Sequence, residues 1–212
     1  MNLALPLIII ICSFAQGKDS LMEDKMRNIG LFALEEIDKD TFITRLAYDS
    51  KENFMKTNIY APFSLHKCYL HKDMKEHIQK LAKILKAKNL KLIVYDCFRP
   101  QAAQELAWSI VPDTRYVAHP KKGSNHSRGI AIDVGLAQEN GESLSMPSLF
   151  DEFSVKAWRD YICPQSQTKN CAHRNELQEI MNQAGLKSIK TEWWHFELPV
   201  SNQHDYPILS LP

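Results

Sequence analysis

The stretch that decides the fold is SNHSRGIAID, residues 124–133. A strand over residues 129–136 would alternate between two faces. One face is apolar, as in a core, and consists of Ile130, Ile132 and Val134. The other face is small and acidic and consists of Gly129, Ala131 and Asp133. Because a core would normally be filled by larger side chains, the small residues indicate an open space beside Asp133. His126 lies in the turn before the strand, close enough for its side chain to enter the same space. We therefore predict a metal-binding pair here.

Helical and strand patterns extend outward from this stretch. Apolar side chains that recur at helical spacing, together with a proline at a helix start and a glycine at a helix end, predict helices over residues 71–88, 101–110 and 175–184. Runs rich in β-branched and aromatic residues predict strands over residues 43–48 and 90–95, and one or two within 188–198. The elements mix without a regular βαβ alternation. The sequence therefore predicts an α+β fold, with a small, mainly antiparallel sheet flanked by helices and the metal site on the sheet.

Length and charge limit the classes of protein that this chain can represent. The 212 residues suit a single domain. The formal net charge is +1, from 26 basic and 25 acidic side chains. Such a balance offers no electrostatic reason to expect nucleic acid as a partner or a stable association with an anionic membrane. The sequence leaves the oligomeric state open.

The N-terminus differs from the rest of the chain. Residues 3–14 are almost wholly apolar and carry no charge. This run is shorter than the roughly 20 residues that a membrane-spanning helix needs, and small residues follow it. The pattern is typical of a secretory signal peptide, so we predict a signal over residues 1–17, a single domain over residues 18–212, and export to the periplasm or the medium. A buried strand and an uncleaved anchor are the alternatives.

Four cysteines follow the apolar run: Cys68, Cys97, Cys163 and Cys171. An even number in an exported chain suggests disulfides, and four cysteines allow three pairings. The short separation of Cys163 and Cys171 favours pairing them, which would leave Cys68 with Cys97. Four free thiols are the alternative. A zinc site made of cysteines is disfavoured because none of the four has CxxC spacing.

Two further segments carry unusual polar residues. TEWWHF, residues 191–196, places Glu192 and His195 in an aromatic run, where both are costly to bury unless they are paired or bound to a metal. YDCFRP, residues 95–100, places Arg99 where a predicted strand turns into a helix. Glu192 and His195 would lie on opposite faces of a regular strand, so we predict an irregularity at Trp193 or Trp194 if both face one site. Taken singly, each segment also has a purely structural interpretation.

Together these segments resemble the D-alanyl-D-alanine dipeptidase family. The family signatures are SxHxxxxxxD, ExxH with tryptophan between, and a strand that ends in YRP or FRP; all three occur here in the family's order, with FRP at residues 98–100. The resemblance also includes RLAYDSKENF at residues 45–54 and Phe150-Asp151. It spans about residues 43–200, nearly all of the chain that follows the predicted signal.

The resemblance implies a zinc enzyme with one Zn²⁺ per chain and a defined set of site residues. The implied zinc ligands are His126, Asp133 and His195. Glu192 corresponds to the catalytic base and Arg99 to the residue that stabilises the oxyanion. Ser124 and Asp151 correspond to substrate-binding residues, with Asp151 facing the free amine.

The implied reaction is hydrolysis of the free dipeptide D-Ala-D-Ala to two D-alanines, with a zinc-bound water as nucleophile. A D,D-carboxypeptidase that acts on peptidoglycan stem peptides is the alternative enzyme. A non-catalytic, zinc-stabilised cell-wall-binding module is the alternative of another class. The remaining histidines have no comparable context and are interpreted as surface or core residues: His66, His71, His77, His119, His173 and His204. A helix-borne HExxH zinc motif is absent from the sequence.

Overall fold

The structure, a computed structural model, describes residues 21–211. The predicted signal peptide at residues 1–17 lies outside the described residues. Residues 21–28 are helical (α1), and the longer helices are α2 (Lys75–Ala87), α3 (Gln101–Ile110) and α4 (Thr168–Gln183). The strands are β1 (Leu31–Ala33), β2 (Phe42–Thr44), β3 (Tyr69–His71), β4 (Leu90–Asp96), β5 (Ala131–Gln138), β6 (Lys187–Ser188) and β7 (His195–Glu197). Within the described part of the chain, none of the helices has both the length and the apolar character needed to cross a bilayer.

The sheet topology confirms the predicted α+β class. Five strands form one sheet in the order β2-β4-β5-β7-β6, and β1 and β3 form a separate antiparallel pair. Within the large sheet, β2 and β4 run parallel, whereas the other three neighbouring pairs are antiparallel. The sheet is therefore mainly antiparallel, with β4 and β5 at its centre.

The predicted elements exist, but several of their boundaries differ. The strand predicted over residues 43–48 ends at Thr44, and Ala47–Asp49 form a 3₁₀ turn. The central strand begins at Ala131 and not at residue 129, since Gly129 has φ 71° and ends the 3₁₀ turn before it. Helix α4 begins at Thr168, before the predicted residue 175, because its first turns are polar and carry no apolar period. Local turn chemistry, more than strand or helix propensity, sets these ends.

The main hydrophobic core lies against the apolar face of the sheet. The β5 side chains Ile132, Val134 and Leu136 are buried there together with residues of helices α2 and α4. The helical residues at this contact are Ile78, Leu81, Leu85, Leu177, Ile180 and Met181. Burial of each such side chain contributes roughly 1.5–3 kcal/mol. A second cluster includes Phe98 and the α3 residues Ala103 and Ala107, so it adjoins the end of β4.

Among the described residues, disulfides join Cys68 to Cys97 and Cys163 to Cys171, which confirms the favoured pairing. The first closes a separation of 29 residues and the second one of 8 residues. Chain entropy alone gives the longer loop a stabilisation of about 3.5 kcal/mol and the shorter about 2.5 kcal/mol. The longer bridge attaches the segment that follows β4 to the segment that precedes β3, close to the predicted site.

Candidate metal centre and active-site cavity

The ends of three neighbouring strands bring two aspartates and a histidine together. The register of the sheet pairs Asp133 of β5 with Asp96 of β4 on one side and with His195 of β7 on the other. A register shift at the end of β4, between Val94 and Asp96, brings Asp96 opposite Asp133. Side chains directly opposite one another in neighbouring strands lie about 4.5–5.5 Å apart at Cβ, so residues distant in sequence converge here.

The turn before β5 brings His126 to the same place. His126–Arg128 form a 3₁₀ turn that ends at Gly129. A Cβ at Gly129 would lie 2.7 Å from Leu31 Cδ2 and 3.2 Å from the backbone nitrogen of His71. Glycine alone has no Cβ to clash with these neighbours and adopts a positive φ without strain. Gly129 therefore allows the chain to turn sharply from His126 into the strand.

The side chains of His126, Asp133 and His195 converge on one point, and all three are buried. His126 Nε2 lies 3.3 Å from Asp133 Oδ1, His195 Nδ1 lies 3.0 Å from the same oxygen, and the two nitrogens are 3.2 Å apart. A tetrahedral ion with bonds of about 2.0 Å holds its ligand atoms about 3.3 Å apart. The trio therefore has the spacing of a three-ligand metal site.

The hydrogen bonds behind the rings determine which nitrogens face the centre. His126 Nδ1 donates to the Cys97 carbonyl at 2.8 Å, which leaves Nε2 with a lone pair. His195 Nε2 donates to Glu197 at 3.2 Å, so Nδ1 is the nitrogen that faces Asp133. Two imidazole nitrogens and one carboxylate oxygen therefore face one another in a buried site, where either a proton on His195 or a metal ion can stabilise them. The residues present therefore fit a divalent metal.

Glu192 reaches the same centre because the chain bends, as predicted. Trp193 and Trp194 form the bend, and both indoles are buried. The backbone of Trp193 donates to Ala157 at 2.7 Å, which stabilises the bend from outside the sheet. As a result, Glu192 Oε2 lies 3.9 Å from His195 Nδ1. Burial and the nearby Asp133 raise the pKa of Glu192.

Arg99 is held rigidly at one wall of the site. Its guanidinium donates to the fully buried Asp96 and to Gln104 Oε1, the latter at 2.9 Å. Its Cζ lies 4.8 Å from the centre of the Tyr48 ring, and Asp96 also accepts a hydrogen bond from Tyr60. Arg99 Nε is buried and has no hydrogen-bond partner among the described residues. The Arg99 guanidinium is thus a fixed cation whose Nε–H group is available to donate a hydrogen bond.

Asp151 occupies the wall that faces Tyr48. The Tyr48 hydroxyl donates to both carboxylate oxygens, at 3.2 and 3.1 Å. Burial and the negative charge of Asp133 raise the pKa of Asp151 well above its ordinary value. Its φ of 57° is a strained conformation that aspartate tolerates better than most residues. A carboxylate in this state would be stabilised by a cationic group placed next to it.

Ser124 lies at the entrance to the His126 turn. Its Oγ accepts a hydrogen bond from the backbone nitrogen of His126 at 3.2 Å. The hydroxyl hydrogen is therefore left to donate to another group. This bond also shapes the turn, since Ser side chains of this kind stabilise the backbone two residues ahead.

All seven residues predicted from the sequence line one cavity of about 270 Å³: Arg99, Ser124, His126, Asp133, Asp151, Glu192 and His195. The cavity is small for a ligand site, since small-molecule pockets typically have volumes of about 300–1,000 Å³. The six remaining histidines are not among its lining residues, as expected. A small peptide is the size of ligand that fits.

Sequence reasoning missed three residues that complete the site. Tyr48 orients Asp151, Asp96 fixes Arg99, and Glu197 accepts the hydrogen bond from His195. Glu197 could have been predicted from the sequence, because a residue two positions after His195 on a strand lies on the same face as His195. Asp96 and Tyr48 had no comparable signal, because their roles depend on contacts between distant segments.

A His–Asp–His trio with a carboxylate and an arginine beside it is a set of groups suited to metal-dependent hydrolysis. A sequence model of the family described as "D-ala-D-ala dipeptidase" matches residues 27–210. The chain therefore belongs to the D-Ala-D-Ala dipeptidase family and is a metallopeptidase. Membership confirms the resemblance inferred from the three motifs.

Relatives with curated names agree with this assignment. The D-alanyl-D-alanine dipeptidase of Escherichia coli K12 is 38% identical over 167 residues, covering 78% of this chain and 82% of its own length. That of Enterococcus faecium is 29% identical over 162 residues, covering 64% of this chain and 78% of its own. Among solved structures, the L-Ala D-Glu endopeptidase ChiX of Serratia marcescens gives a TM-score of 0.39 at 14% identity, covering 65% of this chain and 84% of its own. That structural likeness is too weak to bear on function.

Metal binding at the trio should release a proton. Burial alone would lower the pKa of His195, but the hydrogen bonds to Asp133 and Glu197 outweigh it and raise the pKa to about 10 in the metal-free protein. Below that pH the ring carries a proton that a metal must displace, so affinity should rise by up to about tenfold per pH unit from pH 6 to 9. Titration calorimetry in buffers of different ionisation enthalpy should detect about one proton released per metal. Binding with no proton release would contradict this geometry.

Proposed function

We propose that this protein hydrolyses the free dipeptide D-Ala-D-Ala to two D-alanines, with one Zn²⁺ held by His126, Asp133 and His195. The observation that carries the proposal is that metal-ligand, base, cation and ammonium-binding candidates all line one dipeptide-sized cavity. Membership of the dipeptidase family supports the same reaction. Two imidazoles and one carboxylate with an open fourth position are a common donor set of catalytic zinc.

The cofactor and the chain have separate roles in this reaction. When bound, zinc supplies Lewis acidity, which polarises the scissile carbonyl and acidifies a water molecule. Glu192, whose Oε2 lies 3.9 Å from His195 Nδ1, takes the proton of the attacking water and passes it to the leaving amine. Burial raises the pKa of Glu192, which suits a group that must both accept and return a proton.

Arg99 stabilises the negative charge that develops on the carbonyl oxygen. Since Asp96 and Gln104 fix its guanidinium before substrate arrives, little reorganisation is needed during the reaction. Donors of this kind typically contribute about 3–4 kcal/mol in a site closed to water. The Ser124 hydroxyl, which already accepts from the His126 backbone, donates to a substrate oxygen.

Asp151 binds the free ammonium of the dipeptide. The ammonium would supply the cation that this carboxylate lacks, with the Tyr48 hydroxyl holding the carboxylate in place. An acylated amine would leave Asp151 buried beside a neutral group, which costs binding free energy. This preference distinguishes a dipeptidase from the alternative D,D-carboxypeptidase, whose substrates have an acylated amine at this position. A non-catalytic binding module is disfavoured, because the chain belongs to a family of peptidases.

Glu192→Gln should abolish most turnover and retain the metal. Loss of a general base lowers kcat by about 10²–10⁴-fold, whereas the three ligands remain in place. D-alanine release and metal content per chain are the measurements, with exposed Glu139→Gln as the control. Loss of zinc from the Glu192 variant would make this residue a ligand and refute its role as base.

Wild-type enzyme should hydrolyse D-Ala-D-Ala at least about 10²-fold more efficiently than its N-acetyl form, because a buried carboxylate without its partner costs about 3–5 kcal/mol. Asp151→Asn should lower kcat/KM for the free dipeptide and reduce this ratio toward one. Steady-state kinetics on both substrates, with and without a chelator, measure the effect. Equal wild-type rates on both substrates would favour the D,D-carboxypeptidase.

We also propose that the protein is exported to the periplasm or the medium. The apolar run at residues 3–14 supports export, as do the two disulfides, because such bonds persist in oxidising compartments.

N-terminal sequencing of the protein from a bacterial host should show a chain that begins after residue 15 or 17, recovered outside the cytoplasm. Ile9→Arg, which interrupts the apolar run, should leave the chain uncleaved inside the cell. An intact N-terminus on wild-type protein in the cytoplasmic fraction would refute export.

A further inference from the structure

Glu197 lies beside the metal centre, at the nitrogen of His195 opposite to Asp133, and lines the same cavity. It follows His195 by two residues on β7, so both side chains are on the same face of the strand. Its Oε2 atom accepts hydrogen bonds from His195 Nε2 at 3.2 Å and from Asn125 Nδ2 at 2.6 Å. Only 10% of the Glu197 side chain is exposed, so these bonds are sheltered from water.

The second carboxylate oxygen of Glu197 has a separate partner. Lys187 Nζ lies 3.0 Å from Oε1 and comes from the neighbouring strand β6, where Lys187 is directly opposite Glu197. The lysine is half-exposed and neutralises the carboxylate from the solvent side. Glu197 therefore keeps Oε2 for the metal centre.

We propose that Glu197 is a positioning residue of the metal centre, which orients His195 and connects β7 to the turn that carries His126. The two zinc-binding segments belong to different parts of the chain, and Glu197 contacts both of them through His195 and Asn125. This inference rests on the proposed function, because it concerns the affinity of the same metal site.

The physical reason is the chemistry of a neutral imidazole. His195 can ligate through Nδ1 only when its proton is on Nε2, and an acceptor at Nε2 selects that tautomer. A carboxylate also makes the ring a stronger donor and prevents its rotation. Loss of such an acceptor commonly lowers metal affinity by about 10–100-fold.

Two other roles for Glu197 disagree with the geometry. A direct ligand would lie beside Nδ1, but Glu197 contacts the opposite nitrogen of the His195 ring, while Asp133 contacts Nδ1 at 3.0 Å. A substrate-binding role is disfavoured, because both oxygens of Glu197 already interact with protein partners.

The test compares Glu197→Ala, Glu197→Gln and the control Lys187→Ala, which removes only the outer partner. Zinc affinity is measured by competition with a chromophoric chelator, and KM, kcat and urea unfolding of the metal-free proteins are measured in parallel. We expect Glu197→Ala to lose about 10–100-fold in zinc affinity. The Gln variant, which keeps a neutral acceptor, should lose about 3–10-fold, because charged hydrogen bonds are roughly twice as strong. Lys187→Ala should stay within about 3-fold of wild type, as an exposed ion pair contributes little.

Unchanged zinc affinity in folded Glu197→Ala would overturn the proposal, as would a rise in KM at unchanged affinity, which would indicate a substrate contact. If the Ala variant fails to fold, the zinc affinity of Glu197→Gln becomes the test. A Gln variant that binds zinc as tightly as the wild type would overturn the proposal. Wild-type protein that binds no zinc would instead refute the proposed function itself. The two failures are thus distinguishable.

Discussion

The structure depends on the neutralisation of two buried carboxylates in adjacent strands of the sheet. Asp96 and Asp133 lie opposite each other in neighbouring strands, inside the protein. A charge buried without a partner is costly, and like charges opposite one another in a sheet are destabilising. Arg99 neutralises Asp96 permanently, whereas the centre beside Asp133 is left to two histidines and a metal. The charge of Asp96 is therefore balanced by a permanent part of the fold, whereas the charge of Asp133 is balanced at the candidate metal site.

The rest of the fold keeps these groups in place. The apolar face of β5 is buried against helices α2 and α4, so the strand cannot shift its register without exposing its core residues. The disulfide at Cys97 anchors the segment whose carbonyl accepts the hydrogen bond from His126. Gly129 sets the sharp turn into the same strand. Rigid packing thus allows binding groups to be held ready for substrate, which is the basis of catalysis by preorganisation.

Much of the candidate site could be predicted from sequence, because the candidate metal ligands lie in short segments where they differ clearly from their neighbours. Asp133 stands out on a strand face that is otherwise small, and Glu192 stands out in an aromatic run. The bend at Trp193 and Trp194 followed from geometry, since strand alternation would otherwise separate Glu192 from His195. Element ends were harder to predict, because they depend on single turns such as the one at Gly129.

By itself, the sequence determined the strand faces and the residue types available for chemistry, because side-chain alternation is a local property of the backbone. Only the tertiary structure decided which distant side chains meet: Asp96 with Arg99, Tyr48 with Asp151, and Glu197 with His195. Strand register and the direction of each imidazole nitrogen arise from pairings across the sheet. No local pattern encodes such pairings, since they exist only once the whole core has packed.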